Sequence, residues 1–269
     1  MDAIRNPQKN VSSHCAAKVS ISPNEQSRFK LADHLELNAT IGEYPIWNGE
    51  GKWRLFNIAR SDSTGDSPTV PMGNLGVFQT EDKKFVSLMK VTSNLASGNL
   101  RWLGEPCKRD DMLFKANIGR SMWADNCVTI NHLANYAANP GGKDAELHAL
   151  FVAEGISSPP TVIQILFTRN GTSANTLTTS LIINPEMLGF KRETEVNWGR
   201  NPWNKTMSFN DPAKKQFIDA LGVWALSFAK QMDDALDKKP NAFSSIPTWR
   251  TVMNGQPKPE AAKLKVTLD

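Results

Sequence analysis

Among the four histidines of the chain, His132 has the surroundings best suited to proton transfer. It follows Asn131, and a fold-back of the preceding segment would bring Asp125 or Asp110 within its reach. An imidazole beside a carboxylate suits general acid–base work, because histidine titrates near neutrality and the acid orients the ring. The spacing therefore offers one hydrolase-like arrangement, a His/Asp pair built on His132. The other histidines read as structural or exposed. His14 precedes Cys15 in a polar terminus, His34 stands between Asp33 and Glu36 on an expected strand, and His148 lies near Glu146 on a short helix.

The paired carboxylates Asp110-Asp111 and Asp233-Asp234 do not read as catalytic dyads. Neighbours in a strand point to opposite faces, and neighbours in a helix do not share one. Glu193 and Glu195 share a side if their segment is extended, but K-R-E-T-E-V-N reads as exposed.

Cys107 and Cys127 lie 20 residues apart, each at the edge of an apolar segment. A charged turn (Lys108 to Asp111), a strand (Met112 to Ile118) and a Gly119-Arg120-Ser121 turn separate them, so the sulfurs can meet across neighbouring strands. A disulfide closing that loop would stabilise by roughly 3 kcal/mol. The alternative is two separate buried thiols, which are common in cytosolic proteins. No C-x-x-C or H-x-x-x-H accompanies the pair, so no metal site is expected.

The segment V-N-W-G-R-N-P-W-N-K, Val196 to Lys205, is the other stretch with binding chemistry. Trp198, Arg200 and Trp203 together could hold a sugar, a peptide or another planar ligand through ring faces and a guanidinium. The alternative is a loop pinned by its two tryptophans to the helix that follows. Several large enzyme classes leave no signature: G-x-S-x-G, G-x-x-x-x-G-K-[ST], H-E-x-x-H and G-x-G-x-x-G after a strand are all missing.

The elements that must position these residues are mostly strands. Period-two alternation or β-branched runs mark Lys18–Ser22, Arg28–Leu37 (ending near Asn38–Thr40), Lys52–Arg60, Asn74–Gln79, Phe85–Val91, Leu100–Leu103, Met112–Ile118 and Met122–Ile130. In Lys52–Arg60, Arg54, Phe56 and Ile58 are expected on one side and Trp53, Leu55 and Asn57 on the other. Asn48-Gly49 is the strongest hairpin turn, T-E-D-K-K a charged one, and Ser61–Gly73 a Gly/Pro loop. His132 to Ala137 suggests a helical turn. A short helix is expected over Asp144–Gly155, capped by Asp144 and ended by Gly155.

Thr161–Arg169 and Leu177–Ile183 form a further hairpin whose aliphatic residues need a helix against them. That helix opens at Asp211-Pro212 and carries Phe217, Leu221, Trp224, Phe228, Met232 and Ala235 at steps of three and four, until Pro240-Asn241 stops it. Lys214, Lys215 and the aspartates fall mostly on its wet side. L-K-V-T-L near the end suggests a last strand.

Forty per cent hydrophobic and 22% charged residues are the balance of an ordinary globular chain able to bury a sizeable core. Eight Trp against two Tyr point to large packing units, with Trp47 and Trp249 as interface anchors if exposed. The net charge of +4 is spread over scattered pairs such as Lys83-Lys84, so no nucleic-acid surface is expected. No apolar run is long enough for a transmembrane helix, and the first residues lack the apolar core of a signal peptide. The chain is then cytoplasmic, or it begins after a removed leader.

The turn Asn201-Pro202-Trp203, the helix opened by Asp211-Pro212 with Trp224 at its centre, and W-L-G-E-P-C from Trp102 to Cys107 resemble a family of uncharacterised Gram-negative bacterial proteins predicted to be exported. The resemblance covers these short motifs alone. It implies a periplasmic or envelope setting and no activity, and this chain departs from it in lacking the leader.

These observations predict an α+β fold: a mainly antiparallel sheet with one long C-terminal amphipathic helix and a shorter one. Residues 1–16 are expected to be flexible. Residues 17–249 are expected to form one domain, with a β-rich half (17–140) and a hairpin-plus-helix half (141–249), and 250–269 a tail. The expected function is that of an exported, non-enzymatic binding or accessory protein without cofactor, its partner a small molecule, a glycan or a protein. The competing expectation is the His132 hydrolase.

Overall fold

A computed structural model describes residues 18–21, 34–35, 38–42, 44–47, 51–62, 70–96, 106–120, 125–136, 144–170, 175–239 and 242–252. The N-terminal part supplies β1 (Lys18–Ile21), β2 (His34–Leu35), β3 (Asn38–Ile41) and β4 (Tyr44–Pro45). Then follow β5 (Trp53–Asp62), β6 (Pro71–Glu81), β7 (Lys84–Asn94), β8 (Phe114–Arg120) and β9 (Asp125–Leu133). The helix α1 (Asp144–Glu154) precedes β10 (Val162–Asn170) and β11 (Thr176–Ile183), and α2 (Lys205–Phe209) and α3 (Pro212–Leu236) follow.

Among the described residues, eight strands make one sheet in the order β2-β5-β6-β7-β11-β10-β9-β8, every pair antiparallel. The fold is α+β, with helices on a mainly antiparallel sheet. Two meanders meet at the β7–β11 pair, so the hairpin from the second half of the chain lies between strands of the first. β1, β3 and β4 form a small separate sheet, in which β1 and β3 run parallel. Asn38–Thr40, expected to end a strand, is itself paired with Lys18–Ser20, a partner far away in sequence.

The tight β6–β7 hairpin turns on Asp82 and Lys83, both in the left-handed region (φ 48° and 57°), which matches the twist of the flanking strands. Next to it the β5–β6 register shifts between Leu55 and Asn57. Phe56 is the extra residue of this bulge, and alternation changes side there. Arg54 and Phe56 keep the expected common side, whereas Ile58 packs with Trp53 and Leu55 in the opposite cluster. The Phe56 ring lies where a β-carbon on Gly76 would be, so the bulge and the glycine fit each other.

Helix α3 covers one face. The Asp211 carboxylate accepts hydrogen bonds from the backbone N–H of Ala213 (3.0 Å) and Lys214 (3.2 Å), and Pro212 follows at the first helical position. Phe217, Leu221, Trp224, Phe228, Met232 and Ala235 are all buried against Ile163, Ile165, Phe167, Leu181 and Ile183. Each large apolar side chain so buried contributes roughly 1.5–3 kcal/mol. Gly222 permits the close approach to β8, since a β-carbon there would stand 2.8 Å from the Phe114 ring. Trp47 meets Trp224 (5.8 Å) and Phe228 (5.4 Å) edge-on, and Trp47 and Trp249 are 5% and 2% exposed. Both are core residues, so neither meets the condition for an interface anchor.

Helix α1 lies on the opposite face. Its Phe151 packs on Phe78 (5.4 Å) and Phe85 (5.6 Å), and Leu147 joins them. Two ion pairs fasten its ends: Arg54 grips both carboxylate oxygens of Glu154 (2.7 and 2.6 Å), and Lys90 both of Asp144 (2.7 Å each). Asp144 is thus the partner of a strand lysine at the first helical position, where it was expected as a cap.

Several boundaries move. The Ser61–Gly73 loop is shorter than expected, because Ser61 and Asp62 pair with Met72 and Pro71. β8 continues through Gly119 and Arg120, which were expected to turn. His132 belongs to β9, where pairing with Ile163 holds the chain extended; the expected helical turn is replaced by a tight turn with Asn135 in the left-handed region. The Leu100–Leu103 strand, the Asn48-Gly49 and Pro240-Asn241 turns, the L-K-V-T-L strand and residues 1–16 lie outside the described residues.

Candidate functional site

The Cys107–Cys127 disulfide is formed, with α-carbons 5.9 Å apart. Cys127 is on β9 opposite Asn117 of β8, whereas Cys107 sits on a short 3-10 helix, Pro106–Lys108, before β8. The bridge thus ties the approach segment to the second strand in from the sheet edge.

Beyond β11, a 3-10 turn over Pro185–Leu188 ends at Gly189 (φ 84°), and the chain runs from Phe190 to Asn204 without helix or strand. Buried contacts hold this segment. Trp203 is fully buried between Phe190 (5.0 Å) and Phe217 (5.9 Å), both edge-on. Asn201, also fully buried, donates to Thr161 Oγ1 (2.9 Å) and the Glu195 carbonyl (2.6 Å) and accepts from the Trp203 N–H (2.9 Å). Asn197 closes the inner turn by accepting from the N–H of Gly199 (3.0 Å) and Arg200 (3.2 Å). The Lys214 ammonium, 5.1 Å from the Trp203 ring, donates to Glu193 (3.0 Å) and the Pro202 carbonyl (3.2 Å).

The three residues proposed to bind a ligand take up three environments. Trp203 is a core anchor. Trp198 is half-buried and stacks on the His132 ring, with centroids 4.9 Å apart and planes 21° apart. Arg200 is 74% exposed, with Glu195 at 3.6 Å. Trp198 and Arg200 thus share an outward turn, and Trp203 holds it from within.

His132 points to the α3 side of the sheet together with Val128 and Ile130. It is fully buried, and its Nε2 meets the Trp198 carbonyl at 3.1 Å, so the proton is assigned to that nitrogen. Nδ1 is buried without a partner. Burial holds the imidazole below its ordinary range and outweighs the Trp198 carbonyl and the Asp111 charge, which act the other way. The ring's hydrogen bond goes to a carbonyl and not to a carboxylate. Asp125 starts the extended β9 seven residues away, roughly 23 Å along the backbone at strand rise. Asp110 pairs with Lys115 (2.7 Å), and Asp111 with Arg109 (2.6 Å).

Sequence reasoning placed Lys214 on the wet side and Glu193 in an exposed stretch, and gave Asn201 no role of its own; the structure buries Lys214 and Asn201 and leaves the Glu193 side chain 15% exposed. Lys214 stands three residues before Phe217, in line with the apolar stripe, which is the one signal that it faces inward. His148 is a second buried imidazole, between Tyr136 (5.3 Å) and Phe151 (5.8 Å), and burial lowers its pKa. Among the described residues, no group of three or more His, Cys, Asp or Glu could hold a metal ion, and no helix is long and apolar enough to cross a membrane.

Comparison of the chain with family models, with curated proteins and with solved structures finds no match.

Proposed function

We propose that this is an exported, non-enzymatic binding or accessory protein of the periplasm or cell envelope, and that the 190–204 segment is its ligand-facing element. The observation that carries the reading is the anchoring of that segment. Connections of about 15 residues without secondary structure are uncommon in compact domains and mostly serve function. This one is fastened from beneath by Trp203, Asn201 and the Lys214–Glu193 pair, while Arg200 stands in solvent beside the half-buried Trp198. A pre-organised turn loses little freedom when a ligand settles on it. A guanidinium next to an indole suits a glycan or peptide bearing a carboxylate. The disulfide supports an oxidising compartment, where such bonds persist.

The test is a binding survey of the purified protein against acidic and neutral oligosaccharides and carboxylate-terminated peptides, in parallel with Arg200→Ala and Trp198→Ala. The expected result is an acidic probe whose affinity falls by about tenfold or more in Arg200→Ala, as loss of a charge-assisted hydrogen bond requires. A ligand held equally well by both variants would overturn the assignment of the site.

A further inference from the structure

We infer that His132 is a pH-operated latch on the 190–204 segment, holding the Trp198 turn against the sheet while the imidazole is neutral and releasing it when the ring takes up a proton. The inference rests on the reading of that segment as ligand-facing and adds its regulation. Two contacts make the latch: the Nε2–H bond to the Trp198 carbonyl (3.1 Å) and the ring-on-ring stack (4.9 Å). The neutral ring makes both, and the carbonyl bond taken alone would favour a protonated ring. The second nitrogen decides what protonation does. Nδ1 is buried with no acceptor in reach, so a proton there would add an unpaired donor and a charge inside the protein. The segment can relieve this by lifting Trp198 and letting water reach the ring.

The charged groups around the ring do not remove that cost. On β10 its pairing partner is Ile163, which is apolar. From the turn before β8 the Asp111 carboxylate favours the cation, but Arg109 already holds both of its oxygens (2.9 and 2.6 Å). On the segment itself Arg200 and Glu195 face each other at 3.6 Å. A latched imidazole below the ordinary 6.5 means that the released state binds the proton more tightly, so acid favours release. The latch holds fully above about pH 6.5 and weakens progressively below it.

Hydrogen-exchange mass spectrometry of the ligand-free protein tests this. Exchange in peptides covering 195–204, corrected for the intrinsic pH dependence, is expected to quicken by about tenfold between about pH 7.5 and about pH 5.5. His148→Gln should keep that response, and His132→Gln, which can donate to the same carbonyl without titrating, should lose it. No local quickening in the wild type, or the same quickening in a folded His132→Gln, would overturn the latch. If that variant does not fold, the wild type still decides: an NMR titration of the His132 ring with a midpoint at or above 6.5 overturns it, and one below supports it. Because no ligand is present, failure of the latch leaves the binding reading standing, and failure of the binding survey leaves the exchange result intact.

Discussion

Lys214 reaches over the sealed indole of Trp203 to meet the Glu193 carboxylate at 3.0 Å, with the two side chains only 9% and 15% exposed. The helix start and the 190–204 segment are therefore joined by a buried ion pair, and each charge has little access to water if its partner is lost. Removing one member of such a pair typically costs about 3–5 kcal/mol, whereas replacing both with apolar groups is often close to neutral. Lys214→Met should fall near the lower end of that range in urea unfolding, because Pro202 and the nearby Asp211 also share the ammonium. Lys214→Met combined with Glu193→Leu should recover most of the loss. A single variant as stable as the wild type would show that the pair does not hold the segment.

Gly76→Ala should destabilise by about 1–3 kcal/mol, the usual range for overpacking a filled site. The added methyl meets the Phe56 ring, which the bulge pins between Phe78 and the sheet. Phe56→Leu in the same chain should return part of the stability by making room. Thermal unfolding of the two single variants and the double variant gives the coupling; strict additivity would mean that the ring moves aside freely.

Intact mass after thiol alkylation should show one labelled cysteine before reduction and three after it, since Cys107 and Cys127 are joined and the chain has three cysteines. Cys107→Ser with Cys127→Ser should lower stability by roughly 3 kcal/mol on chain-entropy grounds. Three labelled cysteines before reduction would remove both the bond and the support it lends to an exported setting.

Stability should fall as the solution is made acidic from neutral pH. Burial lowers the pKa of His132 and His148 below the ordinary 6.5, so the unfolded chain binds protons that the folded chain resists. Their contribution is complete above about pH 6.5 and is lost as pH falls toward the folded values. The urea midpoint should be lower at about pH 5 than at about pH 7.5. His148→Phe, an apolar ring among Tyr136, Phe151 and Leu147, should flatten that slope. An unchanged slope would mean that His148 is not buried in its neutral form.

The start of the long helix was legible in the sequence to the residue and its end to within a turn, because everything that specifies it is local: the Asp211 cap, Pro212, and apolar side chains repeating at the helical period. The β6–β7 and β10–β11 hairpins were legible for the same reason, each pairing neighbours in the chain through a short connection. The cysteine pair was legible as an alternative, since its spacing allowed a bond without requiring one.

What only the tertiary structure decided are relationships between distant segments. The joining of β7 to β11, which seats the second half of the chain inside the sheet of the first, is a non-local pairing that no periodicity encodes. The bulge at Phe56 reverses the side of Ile58, and a single inserted residue has that effect because strand side chains alternate with period two. His132 read as a partner for a nearby acid, but the extension of β9 carries Asp125 to the other end of the strand, and the ring instead meets a carbonyl 66 residues further along. Lys214 read as solvated because lysine usually is; it is buried because Glu193 and the face of Trp203 meet it there. Local spacing determined which elements form, and burial against remote partners determined which side chains were left facing outward.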